Sequence, residues 1–156
     1  MLSNEAQELS ELLIANGLTI SVAESCTGGS LSKTLTSISG ASSYFDCGYI
    51  TYSNQSKVDM LGVDIQTIKT YGAVSEEVAL EMVTGVATKS HSDNAVSITG
   101  VAGPTGGTPK KPVGMVCFGF SCDGKTSTST ELFSGDRASI VSQSVLYALR
   151  QLSLRF

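Results

Sequence analysis

Hydroxyls and one lysine amine are the groups in this chain best suited to covalent chemistry, and the stretch from Gly40 to Lys57 holds both. It reads G-A-S-S-Y-F-D-C-G-Y-I-T-Y-S-N-Q-S-K. A serine is a weak nucleophile until a base takes its proton, and a lysine in an apolar pocket can be that base because desolvation disfavours its charge. Ser42 and Ser43 stand where a helix-like segment ends at Gly40 and an aromatic, β-branched run from Tyr44 to Tyr52 begins, which favours a strand. Ser53 and Asn54 then predict the N-cap of a short helix carrying Lys57. The apolar Val58, Met60 and Leu61 predict that this helix packs inward. A strand out and a turn back would bring Lys57 beside the serine pair. Plainer roles compete: serine is a common turn residue, and a lysine near a helix start is usually solvated.

A second cluster, Glu24-Ser25-Cys26-Thr27-Gly28-Gly29, lies between a strand-like run and a helix-like one. Strand, glycine turn and helix together point backbone N–H groups at an anion or an oxyanion. Alone, the paired glycines equally describe a tight turn. Cys26 is a rival nucleophile, since a helix N-terminus lowers a thiol pKa. No histidine stands near it, so a buried, inert thiol is the better reading, as for Cys47, Cys117 and Cys122. His91 is the one histidine and sits in the polar run K-S-H-S-D-N, which argues against a Ser-His-Asp triad and leaves lysine as the base. Arg137 could clamp a phosphate with its planar fork, or simply pair with Asp136 or Glu131.

The elements that must position these groups follow from periodicity. Leu2, Ala6, Leu9, Leu12 and Leu13 predict a helix over 3–16 ended by Gly17. Residues 18–23 read as a strand, 30–39 as a helix, and 63–71 as another. Ser75 caps a long helix with Glu76 and Glu77 in its first turn. Residues 95–102 form a buried strand, followed by a Gly/Pro-rich loop over 103–112. Val113–Cys122 and Thr126–Phe133 form a hairpin through Asp123-Gly124, and a C-terminal helix follows Arg137. Helices alternating with strands predict an α/β fold, a three-layer α/β/α sandwich with a mixed, mostly parallel sheet. Ligands gather at the C-terminal ends of parallel strands, and loops 24–29, 40–43 and 99–107 are the candidates.

Composition narrows the function classes. A chain of 156 residues with 41% hydrophobic and 15% charged residues is expected to form a single domain, 1–156. No apolar run reaches membrane-span length, and the first residues lack a signal-peptide pattern. A cytoplasmic protein with free thiols is expected. The net charge of −4 argues against a nucleic-acid surface. No His/Cys cluster predicts a metal or any other cofactor.

Five ordered motifs carry a resemblance: A-E-S-C-T-G-G, G-x-S-x-x-F-x-x-G-Y-I-T-Y-S-N-x-x-K, G-A-V-S-E-E-V-A, T-G-V-A-G-P-x-G-G-T-P-x-K-P-V-G and F-S-G-D-R. From about Thr19 to the end the chain resembles the CinA C-terminal family, which includes stand-alone nicotinamide mononucleotide (NMN) deamidases. The resemblance implies hydrolysis of the NMN carboxamide to nicotinate mononucleotide and ammonia, with no cofactor and a homodimeric enzyme. It implies a serine–lysine pair in which motif register selects Ser42 over Ser43 as nucleophile, with Lys57 as base and Tyr52 between them. Ser25, Cys26, Thr27, Gly28 and Gly29, then Thr99, Gly100 and Arg137, would bind substrate. Thr105 departs from the aspartate that many members carry there, which bears on substrate preference. A catalytically silent nucleotide-binding module, related to competence or damage-inducible proteins, is the alternative. Intact Ser42, Tyr52, Lys57, Thr99 and Arg137 favour the enzyme.

Overall fold

Five consecutive fully buried residues make β1 (Ile20–Glu24) an interior strand of the sheet. A strand covered on both faces has no reason to alternate apolar and polar side chains, and Ser21 and Glu24 are buried there beside Val22 and Ala23. The computed structural model describes all residues, 1–156. Around β1 the chain runs α1 (Leu2–Asn16), α2 (Ser30–Thr36), a 3-10 turn (Ala41–Ser43), β2 (Phe45–Ile50), α3 (Asn54–Leu61), α4 (Ile65–Tyr71), α5 (Glu76–Lys89), β3 (Asn94–Gly100), β4 (Met115–Cys122), β5 (Lys125–Leu132) and α6 (Arg137–Ser153). The strand order is β2-β1-β3-β4-β5.

β2 and β3 flank β1 in parallel, while β4 and β5 are antiparallel to their neighbours. The sheet is therefore mixed with two pairings of each kind, which corrects the expectation of a mostly parallel one. The hairpin causes the difference. Its two-residue turn, Asp123 (φ 52) and Gly124 (φ 70), can only reverse the chain.

One apolar cluster joins Ile20, Val22, Val96, Ile98, Val116 and Phe118 of the sheet to α1, α2 and α6. A smaller one joins Ala23 and Ala95 to α3, α4 and α5 through Leu61, Ile68, Val78, Met82 and Val86. Because strand side chains alternate, these clusters lie on opposite faces of the sheet. The expected caps form: Gly17 ends α1 in the left-handed region (φ 64), and Ser53 and Ser75 accept N–H bonds from Ser56 and Val78. Met60 is 41% exposed, so Leu61 and half-buried Val58 alone carry the expected inward packing of α3.

How close α3 comes to α5 is set by Gly85 in mid-helix. A Cβ there would lie 2.1 Å from the Leu61 carbonyl oxygen. An exposed helical Gly→Ala change gains up to about 1 kcal/mol, but a clash with backbone cannot be relieved by a rotamer. Gly85→Ala should therefore destabilise by about 1–3 kcal/mol and lower the Tm in a thermal melt by several degrees. A raised Tm would show that this contact does not hold α3 in place.

Candidate active site

The strand order puts β1 between two parallel neighbours reached by connections that leave in opposite directions. Such a reversal opens a crevice at the C-terminal ends of the strands. The segments after β1, β2 and β3 converge there. They line a cavity of about 290 Å³ with Ser25 and Cys26, Tyr52 and Lys57, and Thr99 to Gly103, closed by Arg137 at the start of α6.

Lys57 is the centre of the arrangement. It is 1% exposed, and its Nζ lies 2.8 Å from the Thr51 carbonyl oxygen, 3.4 Å from that of Tyr52 and 3.0 Å from Ser25 Oγ. No carboxylate pairs with it: the one ion pair in the chain joins Arg150 to Glu5. Burial therefore pushes its pKa down from 10.5 to about 8, opposed only weakly by the Cys26 thiol. A neutral amine has two N–H donors and one lone pair. With the two carbonyls taking the donors, the lone pair is left for the Ser25 hydroxyl proton. This is the geometry of a base and its nucleophile.

Ser42 is elsewhere. The expected Ser42–Lys57 pair is absent: Ser42 and Ser43 are exposed in the 3-10 turn that precedes β2. Lys57 follows the end of the same strand, and six residues of β2 span about 16 Å. Loop 40–43 thus sits at the N-terminal edge of the sheet, opposite the crevice, and is not one of the ligand-facing loops. Tyr44 explains what that segment does. It is fully buried and its hydroxyl donates to the Leu35 carbonyl at 2.5 Å, tying α2 to the start of β2.

The 24–29 turn is where the second role was hidden. Glu24 is fully buried at the end of β1. Its carboxylate accepts from the Leu31 and Ser32 N–H groups, at 2.9 Å each, and from the Thr27 and Ser32 hydroxyls, at 2.7 Å each. It ties the first turn of α2 to β1 and holds Ser25 at the strand end, where Ser25 N–H donates to the Ile98 carbonyl. Gly28 and Gly29 supply the positive φ values (54 and 103) of the turn rather than lining the cavity. Thr27 faces Glu24. The N–H groups of Cys26 and Thr27 donate to no protein acceptor, so the turn keeps two free donors beside Ser25. Cys26 itself is no thiolate, because burial drives its pKa up to about 12.

Tyr52 does not bridge serine and lysine. Its carbonyl faces Lys57, but its hydroxyl accepts from Arg137 Nη2 at 2.7 Å. Arg137 Nη1 donates to the Gly103 carbonyl at 2.6 Å, so the guanidinium pairs with neither Asp136 nor Glu131. Asp136 instead caps α6. Of the five N–H donors of Arg137, at least two remain for a ligand. Thr99 lines the cavity with its hydroxyl committed to the Ala73 carbonyl at 2.9 Å, and Gly100 lies so near Val116 that a Cβ would meet it at 2.7 Å. Thr105 is exposed at the mouth. A larger cleft of about 540 Å³ beside α5 and β5 is lined by Thr128 and Thr130, whose hydroxyls donate to the Glu76 carboxylate. No group of His, Cys, Asp and Glu is arranged to hold a metal ion.

The reading from sequence missed Glu24 and assigned Ser25 to binding only. The available signal was an acid directly before a hydroxyl-rich helix start, which reads as a cap in a single sequence.

The thiol makes a simple check. With the Cys26 pKa near 12, iodoacetamide at neutral pH should alkylate Cys26 at least about tenfold more slowly than a free cysteine, as read by peptide mass mapping. Rapid alkylation of Cys26 would contradict the burial that also lowers the lysine.

Comparison with known proteins agrees with this placement of the fold. Residues 2–156 match the CinA C-terminal domain family. The nicotinamide-nucleotide amidohydrolase PncC of Escherichia coli K12 is 45% identical over 161 aligned positions, covering 100% of this chain and 98% of that protein. A CinA-like protein of Kosmotoga olearia is 49% identical over 138 positions, 88% of this chain but 34% of the longer relative. The crystal structure of a CinA superfamily protein from Klebsiella pneumoniae 700603 superposes with a TM-score of 0.96 at 34% identity, covering 99% and 96% of the two chains. The competence/damage-inducible protein CihA of Agrobacterium tumefaciens gives 0.95 at 38% identity, covering 97% and 93%.

Proposed function

Because the chain belongs to the CinA C-terminal domain family, we propose that it is a nicotinamide-nucleotide amidase hydrolysing the carboxamide of NMN, with Ser25 as nucleophile and Lys57 as base. The observation that carries this reading is the 3.0 Å contact between Ser25 Oγ and a buried lysine amine with a pKa of about 8. Full-length similarity to amidohydrolases named for nicotinamide nucleotides supports the substrate class.

Ser25 Oγ attacks the carboxamide carbon as its proton passes to Lys57 Nζ. The carbonyl oxygen becomes an oxyanion beside the free Cys26 and Thr27 N–H groups, donors fixed before the reaction and therefore effective. Lys57 returns the proton to the departing nitrogen, ammonia leaves, and an ester remains on Ser25. Water then attacks the ester, giving its proton to Lys57; the acyl C–O bond breaks, Lys57 returns that proton to Ser25 Oγ, and nicotinate mononucleotide is released. Arg137, at the mouth, holds the phosphate with the N–H groups that Tyr52 and Gly103 leave free. A lysine of pKa about 8 is about one-tenth neutral at pH 7, whereas one at 10.5 is less than about a thousandth neutral. Burial alone thus raises the base population by roughly two orders of magnitude.

The test is ammonia release from NMN by the purified protein. Ser25→Ala should lose activity by at least about 10⁴-fold, while Ser42→Ala keeps it. The reverse pattern would return the nucleophile to the 3-10 turn. NMN binding without any ammonia release in the unmodified protein would favour the silent module instead.

The pH dependence has a definite sign. Folding lowers the Lys57 pKa, so the active neutral amine is populated as pH rises, and kcat/KM should climb along one limb with a midpoint about 8. Lys57→Arg keeps the charge but cannot deprotonate in this range, so it should be as inactive as Lys57→Ala. His91→Ala should leave the curve in place. Arg137→Lys should raise KM for NMN about tenfold or more with a smaller change in kcat. Nicotinamide riboside, lacking the phosphate, should be unaffected. Equal losses for both substrates would place Arg137 at the chemistry rather than at the phosphate.

A further inference from the structure

The segment from Tyr52 to Lys57 joins the two ends of the crevice. At one end the Tyr52 hydroxyl accepts from Arg137, and at the other the Lys57 amine meets Ser25 Oγ. Asn54 stands between them in the chain and lines the same cavity. The other hydroxyls there are largely committed: Ser25 to Lys57, Tyr52 to Arg137, and Thr99 to the Ala73 carbonyl. The Asn54 carboxamide makes no hydrogen bond within the protein, while its neighbour Gln55 spends its own on Asp59. Thr105, in the exposed loop after Gly103, is the one other hydroxyl of the lining left free.

The backbone holds Asn54 firmly in place. It is the first residue of α3, whose N-cap Ser53 accepts from the Ser56 N–H at 3.0 Å, and the Lys57 N–H donates to the Ser53 carbonyl at 3.3 Å. Residues three apart share a helix face, so Asn54 and Lys57 project to the same side. Helical side chains also lean toward the N-terminus, which is how the Lys57 amine reaches back to the Thr51 and Tyr52 carbonyls. Amine and amide therefore meet the cavity at the same end of α3, the first buried and the second exposed.

We propose that Asn54 is a specificity-determining residue whose carboxamide binds the ribose cis-diol of the nucleotide. The inference rests on the amidase reading, which puts the reacting carbon of NMN at Ser25 and its phosphate at Arg137. The ribose joins these two parts, so it lies along the wall between Lys57 and Tyr52. Each hydroxyl of a cis-diol both donates and accepts. A carboxamide carries two N–H donors and an accepting oxygen, so it can serve both hydroxyls at once, whereas the single hydroxyl of Thr105 cannot. Val74, Val101 and Ala102 give the cavity an apolar lining that suits the pyridine ring and offers the ribose no side-chain partner.

Calorimetry on Ser25→Ala protein tests this apart from turnover. Adding Asn54→Ala should raise the Kd for NMN about tenfold or more, with an unchanged thermal melt, since the side chain holds nothing within the protein. An NMN analogue lacking both ribose hydroxyls should already bind about tenfold more weakly, and Asn54→Ala should then change its Kd less than about twofold. Nicotinamide riboside keeps the diol without the phosphate and should lose as much as NMN does. With Ser25 intact, Asn54→Ala should raise KM for NMN and leave kcat within about twofold. Normal NMN binding by Asn54→Ala, or an equal loss for the analogue without the diol, would overturn the proposal. A loss seen with NMN but absent with nicotinamide riboside would put Asn54 at the phosphate and overturn it too. Diol-dependent binding in a protein that releases no ammonia would keep this role for Asn54 and remove the amidase reading alone. Ammonia release without any diol dependence would do the reverse.

Discussion

Everything at the crevice depends on one amine held away from water. Lys57 reaches the interior with two main-chain carbonyls and one hydroxyl as its partners, and no anion. An unpaired buried charge is costly enough that the group gives up its proton instead. A carboxylate at the same distance would have restored the charge and removed the base. The absence of an acid beside Lys57 is therefore as important as the presence of Ser25.

The fold supplies that environment through a few close approaches. Gly85 lets α3 press on α5, and Gly119 lets Ala79 of α5 come within reach of the sheet, where Ser97 donates to the Ala79 carbonyl at 2.6 Å. These contacts carry Lys57 toward the end of β1. From the other face, Glu24 reaches under α2 and takes four hydrogen bonds, so the turn holding Ser25 is fixed at both ends. Ser25 and Lys57, the proposed nucleophile and base, thus arrive from opposite faces of the sheet and meet where the strand order reverses.

The sequence made most elements readable, because helical and strand periods, glycine ends and serine caps are local signals. Ser53, Ser75 and Gly17 were legible for that reason. Lys57 could be singled out as a candidate base from residue type and its apolar neighbours. Its partner could not be found in the same way. Ser42 is nearer in sequence, but sequence distance across a strand is physical distance, since a strand carries its two ends apart. Ser25 is 32 residues away and adjacent in space, because β1 and β2 run parallel and end together. Asking which end of its strand each loop occupies would have excluded loop 40–43. The hairpin's effect on the sheet was likewise present in Asp123-Gly124, but its consequence for strand direction was undercounted. Tyr52 and Arg137 both stood among the expected site residues, but their bond to each other depends on side-chain direction, which spacing does not encode.

The most direct test of the account is the titration of the Lys57 amine itself, followed by heteronuclear NMR of its Nζ and Cε signals in the folded protein, with Lys57→Met as the assignment control. A midpoint of about pH 8 is predicted from its burial. A midpoint at the ordinary lysine value of 10.5 would mean that the amine stays charged at neutral pH, and that Lys57 is not the base for Ser25.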